Sequence, residues 1–292
     1  MGLDDIIKSR RIFFITGKGG TGKSTYTVSL GKKSALRYKT LIVDFDNKRS
    51  TLREILRFSN ISTEPVKVDE NLFFSHIEPE DALKFYLVDY LKSEFLINLA
   101  LNLKPLKSFY RALPSAKEML ITYFLLHLVK DYDFQKIFID MPASGHAELF
   151  LKIPYAAKGI FQRGPVINII REMNRWLYSS ENSGVIQISL PDGVVISETI
   201  EFFHRFNVIE NIKVLCIIVN KKYDMKDIRL DCSENQIKRE ILELYNYYLS
   251  RYQEQQRLIC DLKSSTSDNV FEVPFFPDNN QSQRIFEYIC NL

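Results

Sequence analysis

One segment constrains this chain more than any other: RIFFITGKGGTGKST, residues 11–25. RIFFIT is a short apolar run that reads as a buried strand, and KSTYTVSLGKKSALR from residue 23 onward has helical character. The glycine-rich turn therefore joins a strand to a helix, with the spacing Gly17-x-x-x-x-Gly22-Lys23-Ser24 of a phosphate-binding loop. Gly17, Gly19, Gly20 and Gly22, with Thr21 among them, let the backbone fold tightly around an anion, so that loop N–H groups and the helix N-terminus point at it. Lys23 is placed to reach the β- and γ-phosphates of ATP, the Ser24 hydroxyl to ligate Mg²⁺, and Thr25 belongs with them among the nucleotide-binding residues. The loop also carries a second lysine, Lys18. The amides and Lys23 already hold phosphate within one chain, so Lys18 serves another purpose or is simply an exposed lysine that steers anions.

Further strand-like runs follow: TLIVDF (40–45), NLFFSHI (71–77), KIFIDM (136–141), GVIQISL (184–190), KVLCIIVN (213–220) and VFEVPFF (270–276). Several are apolar on both alternating faces, as strands covered by helices on both sides must be. The expected fold is a doubly wound, mostly parallel α/β sheet with its nucleotide at the carboxyl ends of the strands. Residues 1–292 form a single ATPase domain in this reading, with a helical subdomain inserted from about 78–133 and 155–182. Within it, SEFLINLALNL (93–103) confines Glu94, Asn98 and Asn102 to one stripe, so that helix needs cover on most of its circumference. KSSTSDN (263–269) reads as a loose linker.

A length of 292 residues with 46% hydrophobic content supports a substantial core. The 39 basic and 36 acidic side chains leave a net charge of +3, which gives no basis for a nucleic-acid partner. Cys216, Cys232, Cys260 and Cys290 are far apart, without C-x-x-C or zinc spacing, which suggests a reducing cytoplasm and no structural zinc. MGLDDIIKSRR is charged, resembles no signal peptide and is expected to run straight into the first strand. FLINLALNL (95–103) and MLITYFLLHLV (119–129) fall short of the ~20 residues that span a bilayer. SQRIFEYICNL (282–292) gathers Ile285, Phe286, Ile289 and Leu292 on one face but lacks a lysine-rich polar face, so core packing is favoured over membrane binding.

Hydrolysis needs more than a phosphate loop. Asp140 ends an apolar strand, where a carboxylate can hold Mg²⁺ directly or through water, and PASGH (142–146) follows as a turn at phosphate level. Asp44 and Asp46 stand at the end of another strand. In-line attack on a γ-phosphate requires a group that positions the water, a role assigned to Asp46, with Asp44 structural or supporting. Asn220 lies just past a strand, where its amide can both donate to and accept from the edge of adenine, or be a turn asparagine; Pro274 and Pro277 would pack on the base.

Together these segments resemble the ArsA/GET family of ATPases. DMPASGHAELFLKIP (140–154) is similar to that family's D-T-A-P-T-G-H-T-L-R-x-L-x-x-P segment, and NLFFSHIEPEDALKFY (71–86) to N-L-x-x-x-E-I-D-P-x-x-A-x-x-x-Y. LPDGVVISET (190–199) is similar to P-E-x-x-x-x-x-E-T, and GKGGTGKST to the deviant Walker A loop of the wider class that includes MinD and ParA. The resemblance implies a dimer with two ATP molecules at its interface and Lys18 reaching across to the partner's nucleotide. It implies Asp46 in switch I, and Asp140 with Ser144, Gly145 and His146 in switch II, His146 being read as a hydrogen-bonded turn histidine. ATP binding would close the dimer and hydrolysis reopen it, changing the helical surface offered to a hydrophobic protein client or a membrane partner.

Departures from the family pattern bear on function. Switch I usually reads D-P-A-H-S or D-P-A-H-N, whereas here it is Asp46-Asn47-Lys48-Arg49-Ser50. The C-x-x-C of eukaryotic tail-anchored-protein targeting factors and a clustered cysteine set for As(III) or Sb(III) are both missing. One phosphate loop is present, so the chain is expected to pair with a copy of itself or with a homologous subunit. The alternatives are the ATPase subunit of an anion or metalloid efflux pump, a MinD/ParA-like positioning ATPase, and a non-hydrolysing nucleotide-dependent scaffold.

Overall fold

Strands that are apolar on both faces fold only if both faces are covered. The computed structural model describes residues 1–45, 51–57, 62–91, 93, 116–160, 165–207, 212–224, 239–266, 269–277 and 280–292, and in it both faces are covered. Its strands are β1 (Ile12–Gly17), β2 (Thr40–Asp44), β3 (Val66–Lys67), β4 (Leu72–His76), β5 (Lys136–Asp140), β6 (Ser183–Ser189), β7 (Val214–Lys222) and β8 (Val270–Pro274). They form one 8-stranded sheet in the order β3-β4-β2-β5-β1-β6-β7-β8. β3 pairs antiparallel with β4, and every other neighbouring pair is parallel. This is the expected α/β fold.

The helices are α1 (Leu3–Ser9), α2 (Lys23–Ala35), α3 (Thr51–Leu56), α4 (Pro79–Leu91), α5 (Ala116–Asp131), α6 (Ser144–Ile160), α7 (Pro165–Trp176), α8 (Gly193–Asn207), α9 (Arg239–Ser265) and α10 (Gln281–Cys290). Alternation along β1 divides the core between them. Phe13 and Ile15 join the residues of α1, α2 and α10, while Ile12 and Phe14 join those of α5, α6, α7 and α8. Phe13 stacks on Phe138 of β5 at 4.8 Å between ring centres, and Phe14 on Tyr178 at 5.9 Å. α10 buries Ile285 and Ile289 on the α2 side of the sheet, and the Lys33 ammonium of α2 donates to the Ile289 carbonyl at 2.7 Å. The apolar face of that last helix is thus spent on the core.

Local expectations fail in instructive places. α1 interrupts the stretch expected to run straight into β1: Leu3, Ile6 and Ile7 follow helical spacing and are buried. The Lys136 ammonium secures it, donating to the carbonyls of Ile7, Lys8 and Arg10 at 2.6, 3.1 and 2.5 Å, while burial lowers its pKa to about 8. The two-residue β3 gives too short a pattern to read. Lys263, Ser264 and Ser265, expected in a loose linker, are the last turn of α9; residues 267 and 268 lie outside the described set. Of the expected helical subdomain, α4, α5, the end of α6 and α7 are described. The stretch 94–103, with Glu94, Asn98 and Asn102, lies outside the described residues.

Candidate nucleotide-binding site

The sheet order reverses at β1: the chain fills one side with β2, β3 and β4, returns to β5 beside β1, and then crosses to the other side for β6, β7 and β8. Such a switch point opens a crevice beyond the strand ends, and the loop 17–22 occupies it. Parallel register aligns neighbouring ends, with Asp44 beside both His76 and Asp140 and Gly17 beside Ile188.

The close packing of β1 against β6 explains the first glycine. A Cβ on Gly17 would lie 2.1 Å from the Ile188 carbonyl oxygen, at a φ of +152°. Gly22 has φ +99°, in the left-handed region that glycine tolerates, and a Cβ there would meet the Asn220 amide nitrogen at 2.9 Å. By contrast, a Cβ on Gly19 or Gly20 would have nothing within 4 Å, so those backbone amides border open space. The loop is braced from within, because the Lys18 carbonyl accepts from the Thr21 hydroxyl at 2.9 Å and from the Lys23 ammonium at 3.4 Å. α2 begins at Lys23 with no acidic residue in its first turn, so nothing there opposes an anion at its N-terminus.

Beneath the loop, the Ser24 hydroxyl donates to Asp140 at 2.7 Å. Thr27, one helical turn on, donates to the other carboxylate oxygen at 2.9 Å. Asp140 is 7% exposed. Burial pushes its pKa up to about 6, against the two hydroxyl donors and Lys23; the neighbouring Asp44 charge pushes in the same direction as burial. Asp44 is itself buried, and its carboxylate faces the His76 imidazole at 3.4 Å. An anion cradle above a serine hydroxyl in contact with a buried aspartate is a donor set that fits a nucleotide with Mg²⁺: glycine amides and Lys23 for phosphate, Ser24 and Asp140 for the cation.

The remaining expected residues fall as follows. Asp46 lies outside the described residues. Ser144, Gly145 and His146, expected in a turn, form the first turn of α6, where the His146 amide donates to the Ala143 carbonyl at 2.9 Å and Gly145 and His146 are exposed. Asn220 is buried under the loop. Its oxygen accepts from the Tyr26 hydroxyl and the Lys221 amide, both at 2.9 Å, and its nitrogen donates to the Thr21 carbonyl at 2.9 Å. One amide hydrogen remains, so in this arrangement the side chain braces the loop and has no lone pair left for two-way pairing with adenine. Pro274 ends β8 beside Lys222, the exposed Pro277 follows, and Tyr223 and Phe275 pack edge to face nearby, with ring centres 6.3 Å apart.

Two residues passed over in the sequence stand out. Thr27 completes the grip on Asp140. Glu198 of α8 accepts from the Lys18 ammonium at 2.8 Å. The ET pair (198–199) within LPDGVVISET was the available signal for Glu198.

Fold and site define a phosphate-loop α/β nucleotide-binding protein. Residues 10–165, more than half of the chain, match the family described as Anion-transporting ATPase, and the chain belongs to this ArsA/GET family of ATPases. It is 26% identical over 186 residues to the ATPase GET3 of Podospora anserina, a match that covers 61% of this chain and 55% of that relative. The chain thus spans little more than half the length of that relative.

Proposed function

We propose that the chain is an ATP-hydrolysing, Mg²⁺-dependent dimeric switch that couples nucleotide state to the handling of a hydrophobic protein client in the cytoplasm. The observation that carries the nucleotide chemistry is the Ser24–Asp140–Thr27 contact directly beneath the loop. Mg²⁺, when bound, would neutralise charge that develops on the phosphates during transfer. The chain's own residues do the rest. Loop amides and the α2 N-terminus orient the phosphates, Lys23 contacts them, and Ser24 and Asp140 hold the cation. Asp46 positions the attacking water, and Lys18 acts on the nucleotide of a second subunit, either a copy or a homologue. Ser144, Gly145 and His146, at the exposed start of a helix that leaves the strand end of Asp140, carry the state of the γ-phosphate outward. Pro274 and Pro277 border the base.

The client surface is assigned to the helical subdomain of about 78–133 and 155–182. Its support is the exposure of Val88 and Tyr90 on α4, which packs on the strongly apolar α5. Among the described residues, no helix is long and apolar enough to cross a membrane.

The test is mass in solution by light scattering with ADP and with ATP-Mg²⁺, with phosphate release and binding of a fluorescent apolar helical peptide recorded in parallel. An ATP-dependent dimer that releases phosphate and binds peptide differently from the ADP form supports the proposal. A monomer with no turnover and no nucleotide-dependent peptide binding removes it.

A further inference from the structure

The loop lysine that phosphate binding does not require already has a partner in its own chain. We infer that Glu198 is a positioning residue for Lys18, holding the lysine against its own subunit until a second subunit's nucleotide competes for it. The inference rests on the dimer reading above, in which Lys18 acts in trans.

Lys18 and Glu198 are 180 positions apart, yet the ammonium and carboxylate meet at 2.8 Å. Both ends are fixed by short connections to β1 and β6. Lys18 follows Gly17, whose missing Cβ lets β1 and the Ile188 carbonyl approach closely. Glu198 precedes Thr199, whose hydroxyl lies 2.9 Å from that of Ser189 at the end of β6 and also donates to the Val195 carbonyl at 2.7 Å. The start of α8 is capped in turn, the Val194 and Val195 amides donating to the Asp192 carboxylate at 3.1 and 3.3 Å. The backbones of both partners are therefore set, and the pair forms without rearrangement of either.

Its exposure fits a reversible hold. The Lys18 and Glu198 side chains are 38% and 44% exposed. A pair so open to solvent is weak and screened by salt, whereas a buried one would trap the lysine. The division of labour in the ET pair follows: Thr199 pins the helix to β6, and Glu198 presents the charge. Closing a dimer breaks one such contact in each subunit, so Glu198 opposes association by a small, salt-dependent amount.

The experiment measures the chain concentration at half-dimerisation with Mg²⁺ and a non-hydrolysable ATP analogue, for wild type, Glu198→Gln, Lys18→Ala and the double variant, at 0.05 and 0.5 M salt. Two exposed ion pairs released per dimer correspond to a shift of about 2- to 30-fold toward lower concentration in Glu198→Gln at low salt. The gap from wild type closes at high salt, and the Glu198 substitution has no effect when Lys18 is absent, as a double-mutant cycle requires. A merely structural role for Glu198 would weaken the dimer and would ignore both salt and Lys18. If wild type dimerises, Lys18→Ala weakens it and Glu198→Gln equals wild type, the positioning role is overturned alone. If wild type stays monomeric, the dimer reading is overturned and this inference with it.

Discussion

Replacing Thr27 by valine removes one hydroxyl from the buried carboxylate at the heart of the site while keeping nearly the same shape. Asp140 holds its proton up to about pH 6, and it receives hydrogen bonds from Ser24 at 2.7 Å and Thr27 at 2.9 Å. A carboxyl displaced from about 4 to about 6 binds a proton in the folded state that the unfolded chain has released, so its contribution favours folding below about pH 4. That contribution, about 3 kcal/mol, is lost as pH rises from about 4 through 6, and the curve is flat above. A hydrogen bond to a charged group is worth about 1.5–3 kcal/mol, so losing the Thr27 donor raises the Asp140 pKa by about one to two, to about 7–8. Urea unfolding of the nucleotide-free protein from pH 5 to 8.5 should show Thr27→Val close to wild type at the acid end. The difference should widen to about 1.5–3 kcal/mol at pH 8, with the falling limb reaching further into alkali. If Asp140 holds Mg²⁺ as a carboxylate, Mg²⁺-ADP binding should weaken toward low pH with its midpoint moved upward in the variant. A gap between the two proteins that is the same at every pH would mean that the Thr27 hydroxyl serves the Lys23 carbonyl, 3.0 Å away, and its assignment to Asp140 would be wrong.

Gly17→Ala drives a methyl group to 2.1 Å from the Ile188 carbonyl oxygen, so β1 and β6 must part; nucleotide binding by calorimetry should disappear and stability fall by more than about 2 kcal/mol. Lys136→Met leaves three carbonyls at the end of α1 without their donor, and unfolding in urea should come earlier by about 1.5–3 kcal/mol, with nucleotide binding retained. Lys18→Ala should retain nucleotide in equilibrium binding yet lose at least about 100-fold in phosphate release, the scale expected when one electrostatic donor to a transition state is removed. Asp46→Asn should lower phosphate release by about 100- to 10,000-fold with little change in ATP binding, if the water is positioned by that carboxylate.

What the chain reveals without coordinates follows from the range of the forces involved. Seven of the strands announce themselves as apolar runs, several of them apolar throughout because both faces are covered, and the phosphate loop does because its glycines answer to local backbone geometry. α1 was hidden because Asp4, Asp5 and Lys8 interrupt its short apolar pattern. The pairing of Asp44 with His76, of Thr27 with Asp140 and of Lys18 with Glu198 depends on which strand ends lie side by side. That is set by crossover topology, and no local pattern carries it. Asn220 shows the limit from the other direction: its residue type and strand-end position suit adenine, and here both lone pairs of its oxygen are taken by Tyr26 and Lys221 and one amide hydrogen by Thr21.

The reversal of strand order at β1 also divides the site between two flanks of one sheet. Strands β1, β2, β4 and β5 carry the phosphate end of the site, and they lie inside residues 10–165, the stretch that the family match covers. Strands β6, β7 and β8, with Glu198 in the intervening helix, lie outside that stretch and approach from the opposite flank. A site assembled from two flanks allows the surroundings of Lys18 to be altered through Glu198 while the hydrogen bonds of Ser24 and Thr27 to Asp140 stay intact. Chimeras exchanged at residue 165 would separate those two contributions.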